Sequence, residues 1–194
     1  MDLQRVISRD DVNALPIRRY EGEVVLVETP GQLERAMADL REERVAGFDT
    51  ETRPAFKPGV SYPPSLAQLA TARAVYLFPL QRQDFSAPLA EVMASARLVK
   101  AGVSVSDDLK QLEKVFPFER QSILDLGSAV RRHGLKQSGV RNLAALFLGF
   151  RIPKGAKTTN WAARHLSAQQ ILYAATDAWA CRELYLRFEA LSLI

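Results

Sequence analysis

Arg44-Val-Ala-Gly-Phe-Asp-Thr-Glu51 decides the fold. Its apolar half, Val45 to Phe48, reads as a strand central in a sheet, covered on both faces. Asp49 and Glu51 are two apart, so on a strand both side chains leave the same face. Two parallel carboxylates ending a hydrophobic strand repel one another unless a cation sits between them. Hard oxygen ligands of this type suit magnesium or manganese rather than zinc. Two acidic residues entering a loop would give the same letters, and this stretch alone leaves both readings open.

Working outward, Gly22-Glu-Val-Val-Leu-Val27 is a short strand. Thr29 to Glu43 is an amphipathic helix with Leu33, Met37 and Leu40 on its apolar stripe. Beyond Glu51 comes a loop punctuated by Pro and Gly, Arg53 to Pro64. Ser65-Leu-Ala-Gln-Leu-Ala70 and Ala74-Val-Tyr-Leu-Phe78 then read as strands of a hairpin, joined by Thr71-Ala-Arg73. Helix Leu89–Ala96, strand Arg97–Ala101, helix Ser106–Val115 and strand Ser122–Leu126 follow, and everything from Gly127 reads as helix and loop. The pattern predicts an α/β domain over residues 22–194, with a mixed five- to six-stranded sheet, flanking helices and a helical C-terminal half. Residues 1–21 show no sustained periodicity and are expected to form an N-terminal arm packed loosely on the body.

Two more stretches carry acidic residues in telling positions. In Leu98-Val-Lys-Ala-Gly-Val-Ser-Val-Ser-Asp-Asp-Leu109 a strand ends at Gly102, and a helix opens with Ser106, Asp107 and Asp108 in its first turn. The helix dipole favours acids there, but one would suffice for that purpose. Leu166 to Phe188 reads as one long helix, opened by a Ser167/Gln170 capping box and a Leu166/Ile171 staple. Ile171, Ala174, Ala175, Ala178, Tyr185 and Phe188 form its buried face. Tyr173 and Asp177, at i and i+4, project from one side of it.

Composition narrows the class. At 194 residues the chain is large enough to hold together without disulfides, and Cys181 is its single cysteine, as fits a reducing compartment. The charged N-terminus is unlike a signal peptide and no apolar run reaches membrane-spanning length, so a cytoplasmic protein is expected. His133 and His165 lack metal-ligand spacing to each other or to Cys181, so no zinc site is read. The net charge of +4 is unevenly spread. Between Asp125 and Asp177 lie Arg131, Arg132, Lys136, Arg141, Arg151, Lys154, Lys157 and Arg164 without one acidic residue. Such segregation points to a polyanion partner, nucleic acid or another phosphorylated ligand.

Together the four carboxylates and the tyrosine resemble the DEDD superfamily of 3′-to-5′ exonucleases, in the subgroup whose last motif carries tyrosine. Phe48-Asp-Thr-Glu51 is similar to the first motif, Ala101-Gly102 through Asp108-Leu109 to the second, and Tyr173-x-x-x-Asp177 to the third. Leu66-Ala-Gln-Leu69 with Val75-Tyr-Leu-Phe78 resembles the family's second and third strands. Asn142-Leu-Ala-Ala-Leu-Phe-Leu-Gly149, Asn160-Trp161 and Leu166-Ser167 resemble the approach to the third motif in ribonuclease D and the Werner syndrome helicase exonuclease. The chain is most similar to the stand-alone bacterial members. His165 departs from the proline common at its position, and the loop 53–64 is unusually rich in proline.

The resemblance implies a ribonuclease H-like fold with two divalent cations, Mg2+ or Mn2+, among Asp49, Glu51, Asp108 and Asp177. Asp49 would lie between the two, with Glu51 and Asp177 on the ion nearer the attacking water and Asp108 supporting the other. Tyr173 would orient that water. The implied partner is a DNA or RNA 3′ end, and nothing in the sequence points to a protein partner. Candidate substrate contacts are Thr50, Phe56 (stacking on the terminal base), Lys154, Lys157 and Asn160, while Trp161 reads as a packing residue. The rival reading is a catalytically silent nucleic-acid-binding module on the same fold. The complete carboxylate set argues against it.

Overall fold

The structure is a computed structural model that describes residues 6–57, 59–155 and 158–194. Its centre is a six-stranded sheet, and the strands are β1 (Glu23–Leu26), β2 (Val45–Thr52), β3 (Pro64–Ala70), β4 (Ala74–Pro79), β5 (Val99–Gly102) and β6 (Ile123–Asp125). Their spatial order is β1-β4-β3-β2-β5-β6. β2, β3 and β4 run antiparallel to their neighbours among themselves, while β1 pairs with β4, β5 with β2 and β6 with β5 in parallel. This is the mixed ribonuclease H-like sheet that the sequence predicts, with β2 inside it.

Helices cover both faces. The helices are α1 (Arg9–Ala14), α2 (Pro30–Glu42), α3 (Ser86–Ala94), α4 (Val105–Leu112), α5 (Leu126–Arg132), α6 (Val140–Leu143) and α7 (Ala168–Ala190), with a π-helical turn at Ala144–Leu148. On one face Ala46 and Phe48 of β2 pack with Met37 and Leu40 of α2, Leu89 of α3 and Leu109 of α4. On the other, Val45 packs with Leu184 and Phe188 of α7, and Leu66 and Ala70 of β3 pack with Ala174, Ala175 and Ala178. The strand period of two therefore sends alternate β2 residues into two different helical layers.

Helix α7 starts at the capping box read from the sequence, Ser167 with Gln170. It is buried on more than the one face expected, because Thr176, Asp177, Ala180 and Cys181 are covered as well. Small side chains let it lie close on the sheet. The closest point is Gly47, where a Cβ would overlap the carbonyl oxygen of Ala178.

The N-terminal segment differs from the loose arm expected. Its Ile7 is buried, and the backbone N–H and C=O of Ile7 exchange hydrogen bonds of 2.8 and 3.1 Å with the Gln137 amide. Further along, Arg18 N–H donates to the Arg151 carbonyl, Arg151 N–H to Pro16, and the Arg151 guanidinium to Leu15. These backbone ties carry no hydrophobic period, which is why the sequence pattern is silent about them. Among the described residues no helix is long and apolar enough to cross a membrane.

Candidate active site

The odd-numbered residues of β2 face α7, so Asp49 and Glu51 leave the sheet toward the helix that carries Asp177. Gly47 one step earlier lets α7 approach. As a result Asp49, Glu51 and Asp177 each offer a carboxylate oxygen within 4.8 Å of the others. Glu51 is 8% exposed and Asp177 5%, so water screens little of their repulsion.

Gln68 lies beside this cluster. It is the cross-strand partner of Asp49, shares the Leu66 and Ala70 face toward α7, and is fully buried. Neither atom of its amide has a hydrogen-bond partner among the described residues. Three converging carboxylates, two of them buried, beside an orphaned amide suit a hard divalent cation with its hydrating waters. The donor set therefore fits the kind of metal that the motifs imply.

Asp108 arrives from the other layer. Thr50, between the two β2 carboxylates, points toward α4, and its hydroxyl donates to Asp108 Oδ1 at 2.7 Å. Gly102 makes the approach of α4 possible, since a Cβ there would crowd Val105 and the Phe48 carbonyl. Ser104, the residue before α4, takes a left-handed conformation at φ 60°. Asp108 stands outside the three-carboxylate cluster but lines the same cleft, of about 1030 Å³, as Asp49, Glu51, Tyr173 and Asp177.

Tyr173 sits one turn before Asp177 on α7. Burial, then the neighbouring charges of Asp177, Glu51 and Asp49, push its phenol well above the usual range, so it keeps its proton at neutral pH. The ring is held from two sides. Trp161 packs against it at 6.1 Å between centroids, and Gly155 lies so close that any Cβ would overlap the ring. Trp161 is buried, as its packing role requires.

The remaining sequence candidates scatter. Lys154 lines the cleft. Lys157 falls outside the described residues. Phe56 is 86% exposed in the loop after β2, and it is not among the residues lining this cleft. Asn160 is exposed in the loop before α7, where its side-chain oxygen accepts from Ala162 N–H and its carbonyl from the Gln170 amide. Thr50 lines the cleft, yet its hydroxyl is directed at Asp108. Sequence reasoning missed Gln68, Gly155 and the face of α1. Gln68 gains meaning only from its register with Asp49, and α1 is too short for periodicity to reveal.

Comparison with known proteins agrees with this geometry. The family described as 3'-5' exonuclease matches residues 24–191. The Exonuclease mut-7 homolog of Aedes aegypti is 30% identical over 202 residues, covering 91% of this chain and 28% of that protein. Ribonuclease D of Haemophilus influenzae is 37% identical over 108 residues, which cover 55% of this chain and 27% of that protein. The chain thus spans little more than a quarter of the length of either curated relative. Among solved structures, the Nibbler EXO domain of Aedes aegypti matches with a TM-score of 0.79 at 26% identity, covering 92% of this chain and 93% of that one. With three acidic motifs converging on one cleft and the family pattern running through nearly all of the sheet and α7, this chain belongs to the 3'-5' exonuclease family.

Proposed function

We propose that this chain hydrolyses nucleic-acid phosphodiesters from the 3′ end, releasing nucleoside 5′-monophosphates. The observation that carries the reading is the convergence of Asp49, Glu51 and Asp177 within 4.8 Å, in a cleft that also holds Tyr173 and Asp108. Asp49, Glu51 and Asp177 would hold a divalent cation, Mg2+ or Mn2+, with Asp108 and the shared Asp49 serving a second. Such ions supply Lewis acidity and a nucleophilic water at neutral pH.

The side chains supply the rest. Tyr173, protonated and pinned by Gly155 and Trp161, orients the attacking water by hydrogen bonding rather than by taking its proton. Thr50 fixes the rotamer of Asp108. Lys154, on the rim, meets a substrate phosphate, and Lys157 is assigned the same role from the sequence. Phe56 is assigned from the sequence to stack on the terminal base, and Asn160 to contact the strand from the loop before α7. Residues 22–194 form the exonuclease domain in this reading, and the host compartment is the cytoplasm.

Digestion of matched 5′-labelled DNA and RNA oligonucleotides, single- and double-stranded, tests the activity. A ladder shortening from the 3′ end with 5′-monophosphate products is expected in magnesium or manganese. Binding without any cleavage would instead favour the silent module.

A further inference from the structure

Helix α1 forms one wall of the catalytic cleft. Arg9, Val12 and Asn13 line it, while Asp10, Asp11 and Ala14 do not. The lining positions are i, i+3 and i+4, one face of a helix. A cation and an amide therefore face the carboxylate cleft, and both acidic residues face away. Asp11 is occupied locally, accepting from the Ser8 hydroxyl at 2.6 Å. The wall has a fixed position, because the Gln137 amide grips Ile7 by both backbone groups. The same cleft is lined by Arg141, whose Nε is committed to the Ile152 carbonyl, and by Lys154.

The chemistry of a 3′ end dictates what Arg9 can meet. The nucleotide being released carries one phosphate, the scissile one, which sits at the carboxylates, and beyond it only a 3′-hydroxyl. Every other phosphate lies upstream. A cation that meets the strand away from the scissile bond can meet only an upstream phosphate. The cleft, about 1030 Å³, stands at the upper end of the range of about 300–1,000 Å³ found for small-ligand sites.

We propose that α1 is a substrate wall, which takes the single strand upstream of the scissile bond, with Arg9 on a backbone phosphate and Asn13 on the adjoining nucleotide. This rests on the exonuclease reading above. Gln137 acts as a positioning residue, since it holds the wall and not the strand. The N-terminal segment then sets how much of a strand the site grips.

The test compares wild type, Arg9→Ala, Arg9→Lys, Gln137→Leu and the outward-facing control Asp10→Asn. Affinity for oligothymidylate and oligouridylate is measured in calcium at several salt concentrations, and kcat and KM in magnesium, each on a dinucleotide and on a longer strand. Arg9→Ala is expected to weaken binding of the longer strand by roughly fivefold and to lower the salt slope by about 0.7, the loss of one phosphate contact. Its kcat, its melting temperature and its action on the dinucleotide should be unchanged. Arg9→Lys should restore the slope. Gln137→Leu should reproduce the Arg9→Ala loss although Arg9 is present. An unchanged slope in Arg9→Ala, or an equal loss on the dinucleotide, overturns the proposal while leaving an active wild type intact. A wild type that cleaves neither polymer removes the exonuclease reading, and the proposal with it.

Discussion

The Thr50 hydroxyl donates a 2.7 Å hydrogen bond to Asp108 Oδ1, joining the strand that carries two of the acidic groups to the helix that carries another. Asp49 and Glu51 face one helical layer and Thr50 the other, so this bond brings Asp108 round the strand to the shared cleft. A hydrogen bond to a charged group contributes about 1.5–3 kcal/mol, enough to fix one rotamer. Thr50→Val should therefore lower kcat by roughly tenfold with little change in KM, and Thr50→Ser should recover most of it. Steady-state kinetics on one oligonucleotide check this. Wild-type turnover in Thr50→Val would mean that the bond is dispensable.

Gly47 sets the distance between β2 and α7, and with it the distance between Asp49 and Asp177. A methyl group at Gly47 would collide with the Ala178 carbonyl, which is backbone and cannot swing aside. Gly47→Ala is expected to destabilise the chain by about 3 kcal/mol, the upper end for overpacking, and to reduce turnover as the cluster spreads. Urea midpoints and turnover should fall together. Loss of neither would show that α7 can lift without disturbing the site.

Gly155 and Tyr173 form a similar contact. Tyr173→Phe should lower kcat by roughly a hundredfold while metal and substrate affinity stay nearly constant. Gly155→Ala, which pushes on the ring without altering its chemistry, should produce a smaller loss of the same kind. If both variants turn over at the wild-type rate, Tyr173 is a packing residue.

Lys100 offers a pH test of the fold. Its side chain is fully buried, its amine donates to the Ser95 carbonyl at 2.7 Å, and burial pushes its pKa down to about 8. A lysine whose pKa is lower folded than unfolded binds its proton more tightly in the unfolded chain. Its burden on stability is complete below about pH 8 and shrinks as pH climbs toward the ordinary lysine value of about 10.4. Lys100→Met should thus stabilise the chain near about pH 7 by roughly 1–3 kcal/mol, with the gain fading near about pH 10. Denaturant midpoints at both pH values decide, and a gain that grows with pH would contradict this sign.

Much of this was legible in the sequence. The apolar run ending in Asp49 and Glu51 identified a buried central strand, and the Ser167/Gln170 box located the start of α7. Local signals of period and capping carry that information. What escaped depends on register and close approach. Gln68 is an unremarkable strand residue until it is placed opposite Asp49, and Gly155 a loop glycine until the Tyr173 ring lies on it. The arm escaped because backbone hydrogen bonds and one glutamine hold it, and neither leaves a hydrophobic pattern.

The central claim is that Asp49, Glu51 and Asp177 hold the divalent cation on which hydrolysis depends. Titrating Mn2+ into the chelated chain, while melting temperature and nuclease turnover are followed in parallel for wild type and Asp49→Asn, tests it most directly. The metal-free wild type should be inactive, and added Mn2+ should raise its melting temperature and its turnover over the same concentration range. Asp49→Asn should melt higher than wild type in chelator, since it relieves clustered like charge, and should gain neither stability nor activity from the ion. Full nuclease activity in a wild-type sample verified to be free of metal would contradict the account.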